Sequence, residues 1–217
     1  MLLKIDNYSL YLVLNEKYGK GRSAVEVATL AIKGGIDILQ MREKEKSLDE
    51  MEELGKALLP LCRKHGVIFL VNDDPHLAHR LGADGVHLGQ DDMERFPIEA
   101  VREIIGTDQI IGVSTHSIDQ FDKANQADVD YIAFGPIFHT KTKDYFIGTK
   151  DIKTVITRAR KPVILVGGIT LENMDEVLRE GGKNIAVIRE IMEADDITAK
   201  TRQLKEKLIK CKELCEA

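Results

Sequence analysis

VIFLVNDDPHLAHRLGADGVHLGQDD, residues 67–92, holds two short apolar runs, Val67–Val71 and Gly85–Leu88, each ending abruptly in acid and amide side chains. Runs of this length bounded by turn residues read as buried strands. Between them, Pro75 suits the first turn of a helix and Gly82 suits its end, so Pro75–Leu81 is expected to form one short helix. The unit is strand, helix, strand, and it extends in both directions. Further apolar runs are Leu10–Leu14, Ile36–Met41, Ile110–Val113, Tyr131–Phe134, Val163–Val166 and Asn184–Ile188. Helical periodicity covers Ala24–Lys33, Leu48–His65, Ile98–Ile105, Ile118–Gln126, Ile152–Ala159 and Leu171–Glu180. Ser47 with Glu50 forms a capping-box pattern, and Thr170 with Asn173 marks another helix start. Strands that are apolar throughout and alternate with helices imply a parallel sheet covered on both faces. A count of eight favours closure, so the expected fold is α/β, a single (β/α)8 TIM barrel. Residues 1–217 read as one domain without a linker. Residues 197–216 form a C-terminal amphipathic helix with Ile197, Leu204, Leu208, Cys211 and Cys215 along one side.

A carboxylate cluster at the end of a buried strand needs a reason, because like charges repel and are costly to desolvate. Asn72-Asp73-Asp74 and Gln90-Asp91-Asp92 are two such clusters on successive strands. Two readings stand. The acids are helix N-caps, or they hold a divalent cation such as Mg²⁺ with hard oxygen ligands.

The bulk properties narrow the function classes. The chain carries 31 Lys and Arg against 36 Asp and Glu, a formal net charge of -5. Nucleic-acid binding, which needs a basic face, is not expected. Cys62, Cys211 and Cys215 form no paired framework, which fits a reducing compartment. No signal-peptide pattern and no long apolar run is present, so a cytoplasmic protein without membrane contact is expected. The oligomeric state is not readable.

In a barrel of this kind, chemistry collects at the C-terminal strand ends. The second strand ends Gln40-Met41-Arg42-Glu43-Lys44, a charged loop or a phosphate clamp. The fourth carries His87, a core histidine or a substrate contact. The fifth ends Ser114-Thr115-His116-Ser117, hydroxyls for a phosphate or for a helix cap. The sixth runs through Gly135-Pro136 to Thr140, Thr142 and Lys143. Gly167-Gly168 after the seventh strand, with Ile188-Arg189 after the eighth, occupies the usual barrel phosphate position. His65, His76, His79 and His116 read as surface, packing or turn residues, and no pattern indicates a protein nucleophile.

Six blocks, taken in order, resemble the thiamin phosphate synthase family: Gln40–Lys44, Asn72–Asp74, Gly85–Asp92, Gly112–Ser117, Gly135–Lys143 and Gly167–Ile169. The resemblance spans nearly the whole chain. It implies an enzyme that joins two small-molecule substrates, hydroxymethylpyrimidine diphosphate and hydroxyethylthiazole phosphate, to give thiamin phosphate and pyrophosphate, with Mg²⁺ required. It further implies that Asp73 and Asp92 bind the metal. Arg42, Lys44, Asn72, Ser114 and Lys143 would contact the pyrophosphate, with Lys143, Arg42 and Lys44 stabilising it as it leaves. Tyr11, Gln40 and His87 would line the pyrimidine pocket. Thr140, Thr142, Gly168, Ile188 and Arg189 would form the thiazole-phosphate site.

The chain departs from the family pattern at two positions. His139 stands where Pro is usual, and Arg189 stands where Ser is usual. Arg189 is expected to contact the thiazole phosphate; the competing arrangement pairs it with Glu190 or Glu193. Two rival readings are a thiazole tautomerase-like barrel, which would need a general acid/base, and a ligand-binding relative without turnover.

Overall fold

The computed structural model describes residues 5–140 and 144–216. Eight parallel strands close a barrel in sequence order: β1 (Leu10–Leu14), β2 (Ile38–Met41), β3 (Ile68–Asn72), β4 (Gly85–Leu88), β5 (Ile110–Thr115), β6 (Tyr131–Phe134), β7 (Val163–Val166) and β8 (Asn184–Val187), with β8 pairing back to β1. Ten α-helices lie among the described residues: α1 (Ala24–Gly34), α2 (Leu48–His65), α3 (Pro75–Leu81), α4 (Gln90–Arg95), α5 (Ile98–Ile105), α6 (Ile118–Gln126), α7 (Ile152–Arg158), α8 (Met174–Arg179), α9 (Arg189–Met192) and α10 (Ile197–Glu216). The expected TIM barrel is the observed fold.

Strand alternation sorts the apolar side chains into two concentric cores. Leu10, Leu12, Leu39, Phe69, Val86, Ile111, Phe134, Leu165 and Val187 point outward and pack under the helices. Tyr11, Val13, Ile38, Leu70, Ile110, Tyr131, Ala133, Ile164 and Ala186 point inward and fill the barrel. Because both faces are buried, the strands read as continuous apolar runs rather than alternating ones. Register places Asn72 beside His87, His87 beside Gly112, and Gly112 beside Tyr131.

Local chemistry sets the helix ends. Ser47 and Glu50 form the expected reciprocal capping box at the start of α2. Thr170 and Asn173 also bond reciprocally, but as a turn: Thr170 N–H donates to Asn173 Oδ1 at 2.8 Å, and α8 begins at Met174 rather than at Leu171. α4 is an element that the acidic composition of residues 90–92 hides. On α10, Ile197, Leu204 and Leu208 are buried and Cys211 packs partly against the core.

The N-terminal rim of the barrel carries a device on alternate strands. The Asp37 carboxylate accepts from Leu10 N–H at 2.7 Å, Asp84 from Phe69 N–H at 2.8 Å, and Asp130 from Ile111 N–H at 2.8 Å. Asn184 Oδ1 accepts from Ser9 N–H at 3.0 Å. Each side chain stands at the start of β2, β4, β6 or β8; the three Asp clamp the start of the preceding odd strand, while Asn184 reaches across the closure to the residue before β1 and donates from Nδ2 to Val163 O of β7 at 3.1 Å. An N–H at a strand start would otherwise be left unpaired at the rim. The sequence signal is an Asp directly before two apolar runs, Asp84 and Asp130, and one interrupting a third, Asp37 within Ile36–Met41, which the strand reading passes over.

Candidate active site

Two of the site residues occupy the turn after β3. Asp73 has φ +65, a region non-glycine residues seldom enter, although Asp tolerates it better than most. Its N–H donates to His87 O at 2.8 Å, which ties this turn to β4. Asp74 turns away and caps α3, accepting from Leu77 N–H at 2.8 Å. Asp92, at the third position of α4, accepts from Gly89 N–H at 3.0 Å. The capping reading therefore holds for Asp74 and in part for Asp92, but not for Asp73.

The Asp73 carboxyl is pushed up to about 6, first by burial and then by the hydrogen bond and negative charge of Asp92; Lys44 opposes this, with Nζ 3.4 Å from Asp73 Oδ2. Beside them lies a cleft of roughly 320 Å³ lined by Lys44, Lys46, Asn72, Asp73, Asp92 and Arg95 among others. Asn72 is oriented by Gln40, whose Nε2 donates to Asn72 Oδ1 at 2.7 Å. Arg42 is half-buried, no carboxylate among the described residues pairs with it, and its charge helps hold His87 neutral. Among the described residues no group of three or more His, Cys, Asp or Glu side chains is arranged to hold a metal.

Beneath this mouth runs a buried chain of hydrogen bonds. Tyr11 Oη lies 3.0 Å from Tyr131 Oη, Tyr131 Oη 2.7 Å from His87 Nδ1, and His87 Nε2 2.9 Å from Ser114 Oγ. The His87 ring stacks on Tyr131 with centroids 5.6 Å apart. Burial, followed by the charge of Arg42, lowers His87 to about 4, so the imidazole is neutral. Burial likewise pushes the Tyr11 and Tyr131 phenols up, and both stay protonated. Tyr131 is a site residue that the sequence reading misses, because it opens an apolar run and reads as core. Its signal is Gly112: a Cβ there would sit 2.0 Å from the Tyr131 ring, so only glycine leaves room for it on the neighbouring strand.

On the opposite side of the mouth, the loop after β6 is stitched to the end of β7. Ile137 N–H donates to Val166 O and Phe138 N–H to Gly167 O, each at 2.9 Å. Ile147 N–H donates to Pro136 O at 2.9 Å and Gly148 N–H to Ile137 O at 3.0 Å, which closes the loop on itself. Gly168 has φ +66, and a Cβ there would lie 2.5 Å from His139 O. The structure thus brings Gly168, the loop bearing Thr140, and Ile188 at the start of α9 to one rim. Thr142 and Lys143 lie outside the described residues.

Arg189 is engaged elsewhere. Its Nε and Nη2 donate to the Glu193 carboxylate at 2.5 and 2.9 Å, and its guanidinium lies 5.5 Å from the Tyr18 ring centroid. This is the competing arrangement considered above, since an i,i+4 carboxylate on the same short helix is within easy reach.

Comparison with known proteins adds a family. A thiamine monophosphate synthase family model matches residues 10–191. A thiamine-phosphate synthase of Caldicellulosiruptor saccharolyticus is 40% identical over 201 residues, 91% of this chain and 90% of that protein. One of Pelotomaculum thermopropionicum is 42% identical over 207 residues, 94% of this chain and 92% of that protein. The solved structure of a thiamine phosphate pyrophosphorylase from Pyrococcus furiosus superposes with a TM-score of 0.85 at 34% identity, covering 94% of this chain and 96% of that one.

Proposed function

The chain belongs to the thiamine monophosphate synthase family, and on that premise we propose that it joins hydroxymethylpyrimidine diphosphate to hydroxyethylthiazole phosphate, releasing pyrophosphate. The observation that carries this reading is the juxtaposition at one barrel mouth of the Asp73–Asp92 pair, Lys44 and Arg42 with a buried, polar, aromatic pocket below. One end of a substrate is anionic and the other is a planar heterocycle, and the two halves of the site match those chemistries.

The bond between the pyrimidine methylene carbon and the diphosphate oxygen breaks, and its electron pair leaves with the diphosphate. The thiazole nitrogen then supplies the pair that forms the new carbon–nitrogen bond. Negative charge grows on the leaving group, where Arg42, Lys44 and Lys143 stabilise it and Asn72 and Ser114 donate to its oxygens. Tyr11, Gln40 and His87 orient the pyrimidine. Thr140, Thr142, Gly168 and Ile188 hold the thiazole phosphate, with backbone N–H groups as donors. Arg189 stands at the edge of that site, its guanidinium paired with Glu193. No protein nucleophile is required, and the loop after β6 is assigned the exclusion of water from the reacting carbon.

A divalent cation fits the acidic pair. Two hard carboxylates held together, one of them pushed up by burial and by the other, are short of positive charge. A site with only two protein carboxylates leaves coordination positions for substrate oxygens and water, which is how Mg²⁺ is usually held. When bound, the cation supplies charge neutralisation at the diphosphate oxygens. The test is release of pyrophosphate and formation of the coupled product, measured with each substrate and with Mg²⁺ omitted in turn. Release without the thiazole phosphate at an undiminished rate would reject the coupling.

Among the described residues no helix is long and apolar enough to cross a membrane.

A further inference from the structure

The hydrogen-bond chain from Tyr11 to Ser114 has a dead end, and the dead end fixes its direction. Tyr11 is 2% exposed, and among the described residues its hydroxyl meets one partner, Tyr131 Oη. A phenol has one proton to place. If Tyr11 donates, that proton is satisfied. If Tyr11 accepts, the proton is stranded in the barrel core. Buried donors are the groups least often left unpaired.

Once Tyr11 donates to Tyr131, each further choice is forced. Tyr131 Oη, already accepting, has His87 Nδ1 as its remaining acceptor, 2.7 Å away. A neutral imidazole that accepts at Nδ1 must carry its proton on Nε2. Nε2–H then donates to Ser114 Oγ at 2.9 Å. Ser114 is half-buried and stands at the mouth, so its own O–H is released to point outward. The reverse direction would turn the Ser114 proton inward, present a bare oxygen to the mouth and strand the Tyr11 proton.

We propose that Tyr11 and Tyr131 are positioning residues that act through His87: they hold it in the Nε2–H tautomer and so keep Ser114 as a hydrogen-bond donor toward an anionic oxygen. The proposal rests on the reading of Ser114 as a contact of the diphosphate. Losing the donor to Nδ1 frees the imidazole to flip its tautomer, and Ser114 then spends its proton on Nε2. The cost falls on anion binding rather than on the fold.

The test uses the full chain labelled with ¹⁵N-histidine, with a His87→Gln variant to assign the signal. The ring nitrogen shifts should show His87 with Nδ1 bare and Nε2 protonated. Tyr131→Phe and Tyr11→Phe should each leave a mixture of tautomers. Calorimetry with inorganic pyrophosphate and Mg²⁺ should show Tyr131→Phe binding about three- to tenfold more weakly, the range expected for one hydrogen bond. In a Ser114→Ala background the same change should add no further loss, as for two groups acting in series. An Nδ1–H tautomer in the unmodified protein overturns the proposal, as does an equal loss for Tyr131→Phe with and without Ser114. If the tautomer is as stated but Ser114→Ala binds pyrophosphate normally, the reading of Ser114 falls and takes the proposal with it.

Discussion

Asp73 combines an unusual backbone with an acidic neighbour, and both have measurable consequences. Its carboxyl, ordinarily near 3.8, is pushed up to about 6 by burial and by Asp92, so the folded protein holds this proton more tightly than the unfolded chain does. Its contribution to stability is therefore complete below about pH 4 and lost as the pH rises through about 6. Asp73→Asn removes the penalty. The metal-free variant should be more stable than the parent at neutral pH by on the order of 1–2 kcal/mol, with the difference vanishing near pH 4. Melting curves across that range in a chelator check the sign. Excess Mg²⁺ should then raise the melting temperature of the parent and not of Asp73→Asn; equal rises would remove Asp73 from the cation site. The variant should lack turnover. Arg189 gives the opposite expectation. With its guanidinium held by Glu193 and Tyr18, Arg189→Ser should change thiazole-phosphate affinity by less than about threefold, because a guanidinium already engaged by a carboxylate contributes no charge-assisted bond of its own to the phosphate. A tenfold loss in a binding titration would return Arg189 to the phosphate. At this scale the sequence is legible where a residue is out of place, as an acid ending an apolar run is. It is illegible where residues of one type divide their work: nothing in Asp73-Asp74 tells which turns into the mouth and which caps a helix. Tyr131 is hidden for the same reason, since its ring belongs to the core and its hydroxyl to the site.

At the scale of elements, strand positions follow directly from the apolar runs, α2, α5 and α6 begin and end where periodicity places them, and α3 where Pro75 and Gly82 place it. Short elements are less legible, because a turn of helix such as α4 or α9 has too few residues to show a period. Loop-to-strand contacts are not legible at all. Gly168 reads as part of a phosphate loop, but its second duty is to let the chain after β6 approach: a Cβ would meet His139 O at 2.5 Å, and φ is +66. Gly168→Ala is therefore expected to cost about 1–3 kcal/mol and to push the two loops apart. Urea unfolding should show a lower midpoint with an unchanged slope, and thiazole-phosphate binding should weaken in parallel. A variant of normal stability and affinity would mean that the two loops yield without cost.

For the whole molecule, the question is what closes the ring. β1 and β8 come from opposite ends of the chain, and beside their seam α10 packs on α1 and against β1. Lys205 on α10 reaches Asp37 at 2.7 and 2.9 Å and Tyr8 O at 3.0 Å, while the same Asp37 accepts from Leu10 N–H. Lys205→Met leaves that carboxylate without its cation and should cost about 1–2 kcal/mol with no change in turnover, since Lys205 lies at the rim opposite the mouth. Chemical unfolding and a coupled pyrophosphate assay on the same preparation check both halves; a parallel loss of activity would show that the rims communicate. The closed topology is legible from counting strands, but this seam is not, because Asp37 and Lys205 are far apart in sequence and each looks like an ordinary surface charge. The four clamps at the starts of β2, β4, β6 and β8 secure the barrel quarter by quarter. A chain built in this way keeps two separate accounts of its mutations. Substitutions at the strand tips redraw what is recognised, while the acids and amide at the other end go on holding the ring shut. Such a scaffold can drift toward new ligands without first becoming sturdier, and its failures of folding and its failures of chemistry should map to opposite ends of the same strands.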